Sequence, residues 1–267
     1  MSSAIGPDQL PPKIDTTVPH SARIWNYWLG GKDNYPVDRA AGDQYKAVFP
    51  SIVEIARASR AFLGRSVRYL AGEVGIRQFL DIGTGLPTAD NTHEIAQRVA
   101  PEARVVYVDN DPLVLVHAKA LLTGTVQGAT EYIDADMNKP DVIVERAAKL
   151  LDLSQPVGLL FMQVLGHIND YHDARRVVAR LLEPLARGSH LVLCDGIREP
   201  AADQAAEEYA ETGAVPYVLR SLEQLTEFFG GLELVEPGFV PVTRWRPDDP
   251  ADPGPDLPAY AGVARKV

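Results

Sequence analysis

Two periods of apolar positions organise this chain. Short, almost continuous apolar runs recur at QFLD (78–81), RVVYVD (104–109), TEYIDAD (130–136), VGLLFMQVLG (157–166) and SHLVLCD (189–195). Runs of this length, apolar on both faces, read as buried parallel strands. Between them the spacing turns helical. Asn91 with Glu94 forms a capping box and Pro101 marks that helix's end; Asp111-Pro112 opens a helix to about Leu122 carrying Leu113, Val116, Ala120 and Leu121. Further helices are predicted from Pro140 to Leu151, from about Asp173 to Leu185, and after the Ser221/Gln224 box. Ahead of the first strand, residues 51–71 place Ile52, Ile55, Ala56, Ala58, Phe62, Leu63, Val67 and Leu70 at helical spacing. The last segments, GLELVEPGFVPVTRW and YAGVARK, alternate across an acidic, Pro-rich loop with no helix between them, so they are expected to pair antiparallel. Strands alternating with helices predict an α/β fold with a doubly wound sheet.

The N-terminal stretch differs in character. Residues 1–18 are polar and Pro-rich and read as a flexible tail. From Pro19 the sequence PHSARIWNYWLGGKDNYPVDR offers Ser21 as the cap of a short helix bearing Ile24, Trp25, Tyr27, Trp28 and Leu29, stopped by Gly30-Gly31. Lys32, Asp33, Asn34 and Tyr35 then crowd into a loop before Pro36. So many rings beside two glycines read either as a helical extension packed on the main domain or as a lid over a ligand site. The expected division is a tail over 1–18, an N-terminal helical cap over 19–72 and a nucleotide-binding domain over 73–267.

Candidate chemistry gathers at the strand ends. Asp81 is followed by Gly83 and Gly85, which allow backbone to approach a ligand closely. Asp109 stands where an acid accepts from both hydroxyls of a ribose. Asp136 would accept from an adenine amine, with the Met137 backbone reading the ring edge and Asn110 and Met137 beside the adenine faces. Three anionic acceptors and no lysine or arginine in the glycine loop suit S-adenosylmethionine, which carries an ammonium and a sulfonium, better than a pyrophosphate. Asp81 would lie near the ammonium, and Arg60 or Lys32 would meet the carboxylate. No general base stands out; His167 and Tyr27 are the weak catalytic candidates, with His93 behind them. His167 and His172 are five apart and share no helix face, so no metal pair is expected.

Composition narrows the class. The chain has 267 residues and a formal net charge of −10, which argues against a protein living on nucleic-acid phosphates. Its one cysteine, Cys194, lies in an apolar strand and reads as a buried structural thiol. No signal peptide is evident and no apolar run approaches the roughly 18 residues of a membrane span, so a soluble cytoplasmic protein with a small-molecule substrate is expected.

PHSARIWNYWLGGKDNYPVDR, RAFLGRSVRYL, FLDIGTGLPT, ARVVYVDNDP and LELVEPGFVPVTRWRP together resemble the S-adenosyl methyltransferase family, within the class I S-adenosylmethionine-dependent methyltransferases. The resemblance implies a Rossmann-like, seven-stranded sheet of order 3-2-1-4-5-7-6 with strand 7 antiparallel. It also implies cofactor contacts at Asp81, Gly83, Gly85, Asp109, Asn110, Asp136 and Met137. Pro87 departs from the broad class, where a glycine or small residue is usual. Strand four lacks the Asn-Pro-Pro-aromatic signature of base methylation, which weakens a nucleic-acid base as acceptor. Two other readings remain: a nicotinamide-dependent oxidoreductase, disfavoured by Thr88 in place of a third glycine and by Asp136, and a non-catalytic S-adenosylmethionine sensor.

Overall fold

The computed structural model describes residues 14–88, 90–114, 116 and 125–267. Most of the expected tail lies outside them, as does the helix from Asp111 beyond its first turns. Five parallel strands form the centre: β1 (Gln78–Ile82), β2 (Arg104–Asp109), β3 (Ala129–Asp134), β4 (Gly158–Met162) and β5 (His190–Gly196). They lie in the order β3-β2-β1-β4-β5, and the final strand, Ala259–Arg265, pairs antiparallel to β5. The expected order therefore holds. The edge position beyond the final strand is filled not by one strand but by two short ones, β6 (Glu233–Leu234) and β7 (Val240–Pro241), which makes that final strand β8. Pro237 and Pro241 supply no N–H, so a continuous ladder along this edge is not available.

Strand alternation sorts the side chains. Phe79, Val105, Tyr107, Leu160, Val192 and Cys194 belong to one buried cluster, while Leu80, Ile82, Val106, Val108, Phe161 and Leu193 belong to the other. The second face is covered by α5 (Pro140–Ala147) and α6 (Tyr171–Leu182), whose Ile143, Val177 and Leu181 join its cluster. The first face carries α4 (Thr92–Val99) and three helices from the start of the chain: α1 (Ser21–Trp28), α2 (Pro36–Val48) and α3 (Ile52–Tyr69). Ile24, Trp28, Tyr45 and Phe62 share one apolar cluster with Phe79 and Tyr107 of the sheet.

Helix α2 and a further helix, α7 (Pro200–Glu211), stand in segments that the apolar spacing did not mark. The two pack together, with Tyr45 and Tyr209 ring centroids 6.2 Å apart. A short α8 (Leu222–Thr226) follows the Ser221/Gln224 capping box, and the Asn91/Glu94 box likewise opens α4. Helix α1 begins one residue earlier than expected, with His20 and not Ser21 as its cap residue. The reason is Asp38: its Oδ1 accepts from the His20 N–H at 2.9 Å and fixes the chain as it enters the helix.

Asp38 anchors more than that entry. It is fully buried, its Oδ2 accepts from Tyr35 N–H at 2.8 Å to open α2, and Arg23 Nε lies 3.3 Å from Oδ1. Arg23, also buried, donates to the carbonyls of Asp15 (2.9 Å) and Val18 (2.6 Å). Removing one partner of a buried pair leaves the other charge uncompensated. Asp38→Ala is therefore expected to cost about 3–5 kcal/mol in urea denaturation. A loss under about 1 kcal/mol would mean that Arg23 finds full compensation from carbonyls alone.

Candidate active site

Between β1 and β4 the strand order reverses, and the crevice outside the carboxyl ends there is where open α/β sheets bind ligands. A cleft of about 280 Å³ lies at that place. Its floor is made by the ends of the strands and the turns after them: Asp81 to Leu86 at β1, Val108 to Asn110 at β2, Ala135 to Asn138 after β3, and Met162 to Val164 at β4. Its roof comes from the N-terminal helices. Helix α3 contributes Ala56, Ser59, Arg60 and Leu63, and α1 contributes Ser21, Ala22, Trp25, Asn26 and Leu29. Both sets follow the spacing of one helix face.

The glycine loop is stitched to β2. Val108 O accepts from Gly83 N–H at 2.8 Å, and Asp109 Oδ2 accepts from Gly85 N–H at 2.7 Å. Gly83 and Gly85 hold φ of 68° and 67°, in the left-handed region that glycine adopts without penalty. A Cβ on Gly83 would stand 2.2 Å from Val164 Cγ2, whereas one on Gly85 would meet nothing within 4 Å. Gly83 is thus required by packing as well as by φ, and Gly85 faces open space.

Asp81 is buried inside β1, and Thr92 Oγ1 at the start of α4 donates to its Oδ2 at 2.6 Å. Burial pushes its carboxyl up to about 6, opposed by the Thr92 bond and the Arg60 charge. Asp109 is raised by burial as well, against N–H bonds from Asp111 and Gly85. Arg60 reaches Asp90 O with Nη2 at 2.9 Å, and burial lowers its guanidinium pKa while Asp81 resists. Strand β3 stops at Asp134, so Asp136 and Met137 lie in the following turn, not at the strand end itself; both line the cleft. Asp136 Oδ1 accepts from Asn138 N–H and Nδ2, each at 2.9 Å.

Of the residues singled out from the sequence, Asp81, Gly83, Gly85, Asp109, Asn110, Asp136, Met137, Arg60 and His167 all line this cleft. Lys32 and Tyr27 do not line it. Lys32 is exposed in the loop that wraps Asn26, and the Tyr27 hydroxyl donates to Asp43 at 2.8 Å on an exposed surface. His93 is buried beside Tyr107, with Nδ1 2.9 Å from its hydroxyl. Cys194 is buried 3.6 Å from Ser59 Oγ, and burial pushes its thiol up to about 12, so it stays protonated. Among the described residues no three His, Cys, Asp or Glu side chains gather as a metal ion would require, and no helix is long and apolar enough to cross a membrane.

Among the lining residues that were not foreseen, three hold the site together. His20 Nδ1 lies 2.9 Å from Asp111 Oδ2, joining the start of α1 to the turn after β2. Asn26 accepts at Oδ1 from Asp33 N–H and Asn34 Nδ2, each at 3.0 Å, and so holds the Gly30-Gly31 loop. Gln163 follows β4 with φ 55°, a conformation that costs a non-glycine residue energy and is found where function demands it. Its amide is held from both ends: Nε2 donates to Ser59 Oγ at 3.1 Å and Oε1 accepts from Gly196 N–H at 3.1 Å.

His167 sits in the turn after β4. Arg220, buried, clamps that turn by donating to Leu165 O (2.9 Å) and Ile168 O (2.5 Å). His167 Nδ1 is 3.1 Å from Pro216 O, which can only accept, so Nδ1 carries the proton and Nε2 the lone pair. Burial pushes this imidazole down to about 4, only partly opposed by the Pro216 bond. Below its ordinary value near 6.5, the unfolded chain takes up a proton that the folded chain refuses. Stability from this group is therefore complete above about pH 6.5 and falls as pH drops toward 4. Asp81 and Asp195, each raised to about 6, act in the opposite sense. Their effect cancels when wild type is compared with His167→Gln. Between pH 7 and pH 4 the wild type should lose up to about 3 kcal/mol more than the variant in urea melts. Parallel curves would mean that His167 is solvated.

A family model for S-adenosyl methyltransferases matches residues 7–267. The crystal structure of a DUF574 family protein from Streptomyces avermitilis superposes with a TM-score of 0.91 at 48% identity, over 96% of this chain and 100% of that one. A candidate methyltransferase from Thermobifida fusca superposes with a TM-score of 0.87 at 39% identity, over 97% and 98% of the two chains. No curated protein matches the chain. A match over nearly the whole sequence, on a sheet of this order with acids and glycines around its switch point, means that the chain belongs to the S-adenosyl methyltransferase family and is an S-adenosylmethionine-dependent methyltransferase.

Proposed function

We propose that this enzyme methylates a small-molecule acceptor, with the cofactor held by the turns after β1, β2 and β3. The observation that carries the reading is one cleft bringing Asp81, Asp109 and Asp136 together around two positive-φ glycines. The donor set fits the cofactor part by part. Asp109 meets the ribose hydroxyls with the acceptor capacity its Oδ2 retains beside the Gly85 bond, since Oδ1 already accepts from Asn110 and Asp111. Asp136 accepts from the adenine amine, and Leu86 and Met137 offer apolar contact to the ring. Asp81 faces the ammonium and Arg60 the carboxylate, a role that its place in the cleft favours over Lys32. Arg60 is the one lysine or arginine among the described residues that line the cleft. A dinucleotide's pyrophosphate would face two carboxylates instead of cations, which disfavours nicotinamide chemistry.

When bound, S-adenosylmethionine supplies an electrophilic methyl group with a good leaving group. The chain's own work is then mainly orientation. Helices α1 and α3 roof the cleft and exclude water, with Trp25 and Leu63 over the turns of the sheet. His167 Nε2 accepts a hydrogen bond from the acceptor's O–H or N–H and aims its lone pair. Its low pKa suits holding that proton while it leaves to solvent better than abstracting it beforehand.

Calorimetry with S-adenosylhomocysteine tests the site. Asp109→Ala should weaken binding by about 2–4 kcal/mol while keeping a cooperative melt. Normal binding would remove Asp109 from the ribose site. Asp136→Asn should weaken adenosyl ligands more than an analogue lacking the exocyclic amine. Equal losses for both would mean that Asp136 acts through the turn it caps. Turnover of the methyl donor with a panel of small acceptors separates the enzyme from a sensor.

A further inference from the structure

A second, smaller cavity of about 50 Å³ adjoins the cofactor cleft. The two share Ser21, Trp25, Gln163 and His167 as a common wall. Five of the thirteen remaining wall residues are rings, Trp28 of α1, Tyr45 of α2, Phe49 just after it, Tyr209 of α7 and Tyr217, and the rest are mainly aliphatic. These rings meet mostly edge to face, Trp25 on Trp28 at 5.6 Å and 74°, and Tyr45 on Tyr209 at 6.2 Å and 77°. No Asp, Glu, Lys or Arg among the described residues lines the cavity. Asp195, next to the lining Gly196, is buried and bonded to the Tyr217 hydroxyl.

Several features separate this cavity from a packing fault. Interiors leave few voids larger than a water molecule, whereas this one measures about 50 Å³ and adjoins the larger cleft, with which it shares four lining residues. Its side toward the cleft is formed by Gln163, held in its strained conformation, and by His167, which presents a lone pair at Nε2. Tyr209, 8% exposed, has a hydroxyl without a hydrogen-bond partner among the described residues. A buried donor left unmet is unfavourable, and a polar substituent on a guest would relieve it.

We propose that this aromatic cavity is the acceptor subsite, and that the acceptor is a small, uncharged, single-ring aromatic compound bearing a hydroxyl or amine. The inference rests on the methyl-transfer reading above. The ring lies among Trp25, Trp28 and Tyr45, where edge-to-face contacts favour a flat aromatic guest over an aliphatic one. The hydroxyl or amine lies at the Gln163–His167 end, next to the cofactor cleft. A charged acceptor is rejected, because nothing in the walls would compensate a buried charge. A fused polycyclic ring is rejected by size.

The test uses the full chain with phenol and aniline as probes and cyclohexanol as the saturated control, each titrated by calorimetry in the presence of S-adenosylhomocysteine. Phenol and aniline should bind saturably at one site, at least fivefold tighter than cyclohexanol. Ala202→Leu fills the cavity from α7 without lining the cofactor cleft. It should weaken phenol at least tenfold and leave S-adenosylhomocysteine within twofold. If that variant does not melt cooperatively, Ile197→Phe, from a partly exposed wall, replaces it with the same expectation. Phenol that does not bind, or that binds the filled variant as tightly, overturns the subsite. Cyclohexanol binding as well as phenol overturns the aromatic class. Failure of S-adenosylhomocysteine to bind wild type would strike the methyl-transfer reading itself, whereas its normal binding with no phenol binding would strike only this inference.

Discussion

The hydrogen bond from Gly85 N–H to Asp109 Oδ2 is the contact on which the cleft at the strand ends depends. A turn after a strand has many conformations; this one is pulled onto the neighbouring strand by a charge-assisted bond, and its two glycines supply the backbone angles that the pull demands. Everything around the cleft is referred to that join. The same carboxylate accepts from the N–H groups of Asn110 and Asp111, so the start of the next helix takes its place from it too. Asp111 in turn lies 2.9 Å from His20, and through His20 the first helix is set over the site. A single side chain thus relates floor and roof.

Burial is what makes these carboxylates unusual. Asp81 and Asp195 both lie inside parallel strands with both faces covered, and desolvation pushes each up to about 6. Each is steadied by one hydroxyl, Thr92 for Asp81 and Tyr217 for Asp195. The two stand on opposite sides of β4, one under the larger cleft and one behind the aromatic cavity. Asp81 can settle a cationic ligand group, whereas Asp195 is sealed from its neighbouring cavity by the ring it holds.

Much of this was legible in the sequence, for a physical reason. Parallel strands buried on both faces are short apolar runs, and their chemistry lies within a few residues of their ends, so RVVYVD or FLDIGTG can be read locally. The sheet order and the antiparallel last strand followed from the family resemblance and from the absence of a helix before YAGVARK. Helix α2 was not legible because its contacts override its propensity. Gly42 stands in its middle, where a Cβ would come within 3.0 Å of Tyr27 and 3.2 Å of Trp28. Helix α7 buries mainly alanines, Ala202, Ala205 and Ala206, which leave no stripe of large apolar residues to detect. His20 and Gln163 owe their places to Asp38 and Asp111 in one case and to Ser59 and Gly196 in the other, partners that no local window contains.

The long-range seating of the first helices has a consequence for the order in which the protein can be built. Arg65 of α3 donates to Trp245 O and Val242 O, and Tyr45 of α2 rests on Tyr209. The strand that pairs with β5 is among the last residues of the chain, Ala259–Arg265. During synthesis the N-terminal helices must therefore wait for partners that lie 177 and 180 residues downstream of Arg65 and, for Tyr45, on α7. Tyr45 in particular stays uncovered on this side until Tyr209 has been made. Such non-local pairing slows folding and leaves apolar surface open to association in the meantime. The N-terminal helices should therefore dock only once the far side of the sheet has been made, and not as a domain of their own.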